Sequence, residues 1–394
     1  MSTEVGVGIS HHRNPAMAGR EAVEQALKQG GLEKPDFMFM FATAGYNQQD
    51  LVKAVRKASG DAPLCGCSGE GIIAENQADE SSFSVAVMAI RSDEMHLQHG
   101  LATGLKIDSN GVGRTIAQAI QPALSPDTRA LFLFPDALTI NFDRLVAGLE
   151  EELNLDHLLP LVGGTAGDSW QFRQTYQYCD DTVASDGVAW ALLSGQIRAA
   201  WAVNHGCMPI GVERKVTHAE GNTIYEIDHT PALEVLNEYL TAEELADWGK
   251  ALVNMPFGFE APPDMNGYDR HLIRAMMSKN DAAGSVTLPV EVTAGTSIWI
   301  TRRDYDKVVD GVDRLVDQIK AQLGHHSPKL VFHFECAGRG KAFMRDQLKL
   351  QLLQRLQQQL PDVPWFGFYT YGEIGPVEER NCFHNYTAVV TAIY

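Results

Sequence analysis

The sequence predicts a mixed α/β protein. It is read as two mixed-sheet α/β domains, residues 1–220 and 221–394, each built from two pseudo-repeated units of strand, helix, strand, glycine turn and strand. Three observations carry this. A Pro, two apolar residues and a Gly run up to a carboxylate three times, at Pro63–Glu70, Pro160–Asp168 and Pro364–Glu373. Before each copy stands a continuous apolar run and then a segment of helical spacing. After each copy comes another apolar run. Apolar runs alternating with helices are what sheets covered by helices require.

Taken in order, residues 1–30 hold a first strand and a helix from Pro15 to Lys28, with His11 and His12 in a solvated turn between them. The first unit reads as a strand at Asp36–Phe41, a helix at Gln49–Lys57, the turn ending at Glu70, and a strand at Phe83–Ile90. Cys65 and Cys67 fall in that turn. With no second pair to complete a zinc chelate, they read as small buried cysteines. The second unit has strands at Ala130–Phe134 and Gly187–Leu193 around a helix at Phe142–Leu153, with a hairpin turning at Asp180-Asp181. Two short strands flank Glu220-Gly221-Asn222, where the domain boundary is placed. A helix with Pro in its first turn is expected over Pro231–Leu240. A degenerate fourth unit is expected between Ala251 and Ile300, with a turn-rich loop at Glu260–Gly267. An amphipathic helix over Asp310–Leu323 stops at Gly324. The last unit has strands at Leu330–Phe334 and Tyr386–Ile393 around a helix at Gln347–Leu356.

A net charge of −18 argues against nucleic acid and anionic membrane as partners. No apolar run approaches the roughly 20 residues that span a bilayer. Neither a basic N-terminal region nor a long apolar segment marks a secretory signal. Six cysteines at irregular spacing fit a reduced, cytoplasmic protein.

The densest chemistry lies in the last unit. In Phe334–Lys341 the glycines, Gly338 among them, let backbone amides approach a ligand, and Arg339 and Lys341 could hold a carboxylate or phosphate. Cys336, Tyr369, Glu373 and Asp168 complete the expected ligand-binding set. Arg339 could instead pair with Glu335 or Glu373 and hold the loop. The run lacks the spacing of a nucleotide P-loop. His205, His384 and His333 sit near expected strand ends and are the candidate metal ligands. His205 stands first because Cys207 and the preceding Trp201 strand give a plausible pocket, then His384 and His333. Strand alternation turns His333 away from Phe332 and Phe334.

Val162–Asp168, Pro209–Gly211 with Val216-Thr217, Tyr225–Asp228 with Pro231–Leu233, Cys336–Gly340 and Gly372–Pro376, in that order, resemble the FIST family of bacterial sensory proteins. The resemblance covers nearly the whole chain and implies a ligand-sensing module. Stand-alone chains of this layout are similar to the haem-binding, nitric oxide sensing members called NosP. That likeness implies haem b as cofactor, nitric oxide as signal, and a histidine kinase as partner in cyclic-di-GMP and biofilm control. It leaves the axial ligand open, and the oligomeric state too, a homo-oligomer included. The alternative is a metal-free module gripping an amino-acid-like zwitterion. Cys336 beside Glu335 could be imagined as a nucleophile and base, but no Gly-x-Ser-x-Gly or His-Glu-x-x-His motif accompanies it, so no enzymatic activity is expected.

Overall fold

The computed structural model describes residues 2–261 and 270–394. The mixed α/β class follows from three units with one topology. In each, a crossover helix joins two parallel strands. The pairs are Phe37–Thr43 with Leu64–Gly69, Thr128–Pro135 with Leu161–Gly164, and Leu330–Cys336 with Trp365–Thr370. The helices are Gln48–Ala58, Phe142–Leu153 and Asp346–Gln357, each within about two residues of its expected ends. In the first two, Asn47 and Asn141 accept a backbone N–H of the first turn, which fixes where the helix starts. An antiparallel strand flanks the first strand of each pair: Val85–Ser92, Gly187–Gly195 and Thr387–Ile393. Beyond it lie the edges Thr3–Ser10, Met95–Thr103 and Ala199–His205.

The opposite edge of each sheet is filled by a hairpin from another unit. The hairpin at residues 71–79 pairs with Trp365–Thr370 of the third unit. The hairpin at residues 177–184 pairs with Leu64–Gly69 of the first. The hairpin at residues 373–384 pairs with Leu161–Gly164 of the second. The exchange is therefore cyclic, and it produces an approximate three-fold arrangement of six-stranded sheets. Two of these pairings, Ile72 with Phe368 and Gly164 with Glu373, join residues on either side of position 220.

The core sits where the three sheets face one another. Alternate residues of a strand share a face, so each unit sends at least two Phe side chains inward. Phe39, Phe132 and Phe332 form a triangle with ring centroids 5.6, 4.7 and 5.1 Å apart. Phe41, Phe134 and Phe334 form a second triangle at 5.2, 6.1 and 6.4 Å. Burying each Phe contributes about 1.5–3 kcal/mol. The repeated Pro-x-x-Gly has a direct role. The carbonyls of Pro63, Pro160 and Pro364 accept from Met38, Leu131 and Val331 at 2.8, 2.9 and 2.9 Å. A Cβ on Gly66, Gly163 or Gly367 would overlap the carbonyl oxygen of Met40, Leu133 or His333 on the paired strand.

The stretch read as a degenerate fourth unit is different. Strands Phe257–Glu260, His271–Arg274, Ser278–Asn280, Ser285–Thr287 and Ser297–Arg303 pair antiparallel throughout. Among the described residues no helix lies between Phe257 and Arg303. Without a crossover of a dozen or so residues, neighbouring strands close as hairpins. Most of the Glu260–Gly267 loop lies outside the described residues. The helix expected over Pro231–Leu240 is shorter, Ala232–Asn237. No described helix is long and apolar enough to cross a membrane.

Candidate functional site

The three glycine turns meet. Counting from each Pro, the eighth residue donates its N–H to the sixth residue of another turn. Glu70 donates to Tyr369 at 2.9 Å, Gly167 to Ser68 at 3.0 Å, and Tyr371 to Thr165 at 3.3 Å. The ring of bonds satisfies strand-end amides that would otherwise be buried unpaired. It also brings the acids of two turns onto one phenol. The Tyr371 hydroxyl lies 2.9 Å from Glu70 Oε2 and 3.0 Å from Asp168 Oδ1, and it accepts the Trp170 N–H at 2.7 Å.

A phenol has one proton, so the second carboxylate contact needs another. Burial, with smaller contributions from Glu80 and Asp168, pushes the Glu70 carboxyl up to about 8. Glu70 is therefore protonated at neutral pH and supplies it. Burial and the two acids also push the Tyr371 phenol far upward, so it stays a donor. Asp168 accepts the N–H groups of Phe172, Arg173 and Gln174 at 2.9, 2.6 and 3.1 Å. These bonds hold the 169–172 loop with Ser169, Trp170 and Phe172 at positive φ, a conformation that costs of order 1–3 kcal/mol per residue. The loop lays Trp170 and Phe172 against Tyr371, with centroids 5.6 and 5.1 Å away.

A second group lies on the outer face of the Leu330–Cys336 strand. His333 does point away from Phe332 and Phe334. Its Nε2 is 2.6 Å from Glu335 Oε2, and Arg339 Nε donates to Glu335 Oε1. Burial alone would raise the Glu335 carboxyl, but Arg339 and His333 outweigh it and hold it below its usual range. An ionised Glu335 can only accept, so Nε2 donates to it. Nδ1 is buried with no hydrogen-bond partner. These residues line a small cleft, with about 30 Å³ of free space, walled by Leu315, Met344, Leu352, Leu353 and Tyr369. Lys349 also lines it, with Nζ 2.7 Å from Glu80 Oε2.

The remaining expected residues are more scattered. Cys336 and Gly338 line a separate cleft, with about 50 Å³ of free space, together with Trp170, Phe172 and Tyr371. Glu373 is enclosed in the sheet, accepting from Thr370 Oγ1 and the Thr387 N–H, and burial pushes its carboxyl well up. The side chain of His384 is buried, with Nε2 donating to the Gly375 carbonyl at 2.9 Å, and burial pushes it down to about 3. His205 is 1% exposed, and its Nδ1 accepts the Cys207 N–H at 3.1 Å. Lys341 is exposed, and its backbone N–H donates to Glu80. His99, Cys179 and Asp180 bring donor atoms within 4.8 Å of one another. Asp180 Oδ1 there already accepts the Leu64 N–H at 3.1 Å and faces Arg56 at 3.7 Å.

Sequence reasoning missed the Glu80–Lys349 pair and Arg303. Lys349 stands in a helix whose spacing announced only its apolar face, and nothing local marks Glu80. Tyr371 stood inside the third turn, but its partners are 301 and 203 positions away.

Three units closed by exchanged hairpins, with two clefts opening beside the joined turns, define a mixed α/β module of this architecture. The FIST N domain matches residues 36–230 and the FIST C domain residues 232–376, and the chain belongs to the FIST family of sensory signalling modules. An uncharacterized protein of Mycobacterium tuberculosis (strain CDC 1551 / Oshkosh) is 27% identical over 399 residues, covering 98% of this chain and 97% of the relative. An uncharacterized protein of Methanocaldococcus jannaschii is 24% identical over 398 residues, covering 92% and 73%. Among solved structures, a chorismatase aligns with a TM-score of 0.39 at 8% identity, covering 100% of this chain and 99% of that one.

Proposed function

We propose that this protein is a haem-based sensor, with His333 as the axial ligand and nitric oxide as the signal, acting on a partner histidine kinase. One observation carries the choice of residue. Of the three candidate histidines, His333 lines one of the two clefts described above, and its Nδ1 is buried with no hydrogen-bond partner. Glu335 on the other ring nitrogen is the arrangement that orients a ligating imidazole and raises its basicity. The leucines and Met344 supply an apolar wall, while Arg339 and Lys349 are already paired with Glu335 and Glu80. Bound haem would supply an iron that takes nitric oxide.

His205 and His384 support this role less well. Each has one ring nitrogen engaged within the sheet, and neither lines a cleft named above. The zwitterion alternative is weakened at this cleft because Glu335 and Arg339 neutralise each other. A binding role fits Cys336 better than a nucleophilic one, since burial pushes its thiol well up. No disulfide joins the six cysteines, all of them among the described residues, which supports a cytoplasmic location.

The cleft is walled by the helices Tyr305–Leu323 and Asp346–Gln357, so an occupant bears directly on both. That gives a route from ligand to the surface a kinase would read. A ligand shifts an equilibrium only by its differential affinity for two states. The test is the absorption spectrum after haem reconstitution. A Soret band that shifts with nitric oxide is expected in wild type, His205→Ala and His384→Ala, and its loss in His333→Ala. Wild-type protein that takes up no haem, or a His333→Ala variant with an unchanged spectrum, overturns the reading.

A further inference from the structure

The guanidinium of Arg303 is an unsatisfied cation in the protein interior. Its Nε and Nη1 are buried with no hydrogen-bond partner. Nη2 donates to the Val253 carbonyl, and to Asn254 Oδ1 at 3.3 Å. No carboxylate pairs with it among the described residues. Burial lowers its pKa, and Arg339 adds a smaller repulsion. The rings of Phe343 and Tyr386 lie 3.9 and 5.2 Å from its Cζ, which offsets only part of the lost hydration.

Three residues beside this guanidinium line the second cleft, with about 50 Å³ of free space, and Arg303 lies directly behind them. Val253 takes the Nη2 bond, Tyr386 stacks on it, and a Cβ on Gly338 would lie 3.4 Å from Nη1. The other polar side chains there have partners. Asn385 accepts the Ala275 N–H and donates to the Tyr371 carbonyl, Thr370 donates to Glu373, and Tyr371 is held by the two acids. What remains is flat and apolar: Trp170, Phe172, Met276 and the rings of Tyr371 and Tyr386. Trp170 and Phe172, 36% and 43% exposed, stand on the strained 169–172 loop. A site with aromatic walls and one uncompensated cation selects a planar molecule carrying one negative charge.

We propose that this cleft is a second binding site, for a small aromatic carboxylate whose ring lies among Trp170, Tyr371 and Tyr386 and whose carboxylate pairs with Arg303. The site is independent of haem and of His333. The Trp170 ring is its natural reporter.

The test uses full-length protein produced without haem. Benzoate, 4-hydroxybenzoate and nicotinate are titrated against tryptophan fluorescence and melting temperature, with benzamide as the uncharged counterpart. At least one acid should saturate the fluorescence change and raise the melting temperature, with benzamide about tenfold weaker or more. Arg303→Met should abolish the preference for the acid without lowering the melting temperature of the free protein, since it removes a buried unpaired charge. Gly338→Ala places a methyl beside Nη1 and Tyr386 and should weaken the acid likewise, whereas His333→Ala should bind it as wild type does. The proposal is overturned if none of the three acids saturates. It is equally overturned if benzamide matches the acid, or if a folded Arg303→Met or Gly338→Ala protein binds the acid unchanged.

Discussion

The carboxyl of Glu70 lies 2.9 Å from the hydroxyl of Tyr371, joining the first glycine turn to the third across 301 positions of sequence. Asp168 of the second turn reaches the same hydroxyl at 3.0 Å. One phenol thereby ties together the three units and carries the loop that closes one cleft.

Removing that hydroxyl should be felt beyond its own site. Tyr371→Phe removes one hydrogen bond each from Glu70, Asp168 and the Trp170 N–H, which keep their others, at about 0.5–1.5 kcal/mol per bond and more where a charged group takes part. We expect a lower melting temperature and red-shifted, more quenchable Trp170 emission. Wild-type values for both would show that the network holds nothing.

Glu70 sets a pH dependence. Its folded pKa of about 8 stands above the ordinary carboxylate value of 4.5. Between these the folded state binds more protons than the unfolded state. The contribution is therefore fully present below pH 4.5 and is lost as pH rises through about 8. Glu70→Gln, whose amide can still donate to Tyr371, should flatten this alkaline decline. The check is a melting temperature series from pH 6 to about 9; identical slopes in the two proteins would count against a neutral Glu70.

The glycines of the repeated turn should be intolerant to a similar degree. Gly66→Ala, Gly163→Ala and Gly367→Ala each drive a methyl into a carbonyl of the paired strand. Each should cost several kcal/mol, on the scale of the severest overpacking. Gly31→Ala is the control, because a Cβ there meets nothing within 4 Å and only its positive φ is penalised. Denaturation midpoints compare the four directly. A Gly163→Ala protein as stable as Gly31→Ala would contradict the close strand approach.

Much of the fold was legible because its signals are local. Apolar runs such as Phe37–Thr43 and spacings such as Gln48–Ala58 report burial and period over a few residues. The Pro-x-x-Gly repeat was visible three times, and His333 could be placed opposite Phe332 by alternation alone. The fourth unit was misread for the same reason: the apolar residues of 257–300 show burial, but only connection length and pairing decide between parallel and antiparallel strands.

The amino-acid sequence by itself determined the class of the protein, its repeated unit and the family to which it belongs. It also determined the residues from which a site could be made, since each of these is written in short-range pattern. Tertiary structure alone decided which of those residues meet. The cyclic hairpin exchange brings Glu70 to Tyr371 and Asp168, sets Arg303 behind Gly338, and leaves His205 and His384 inside the sheets while His333 faces a cleft. The reason is physical: these contacts span hundreds of residues, and their partners are chosen by strand pairing between units, on which no local spacing bears.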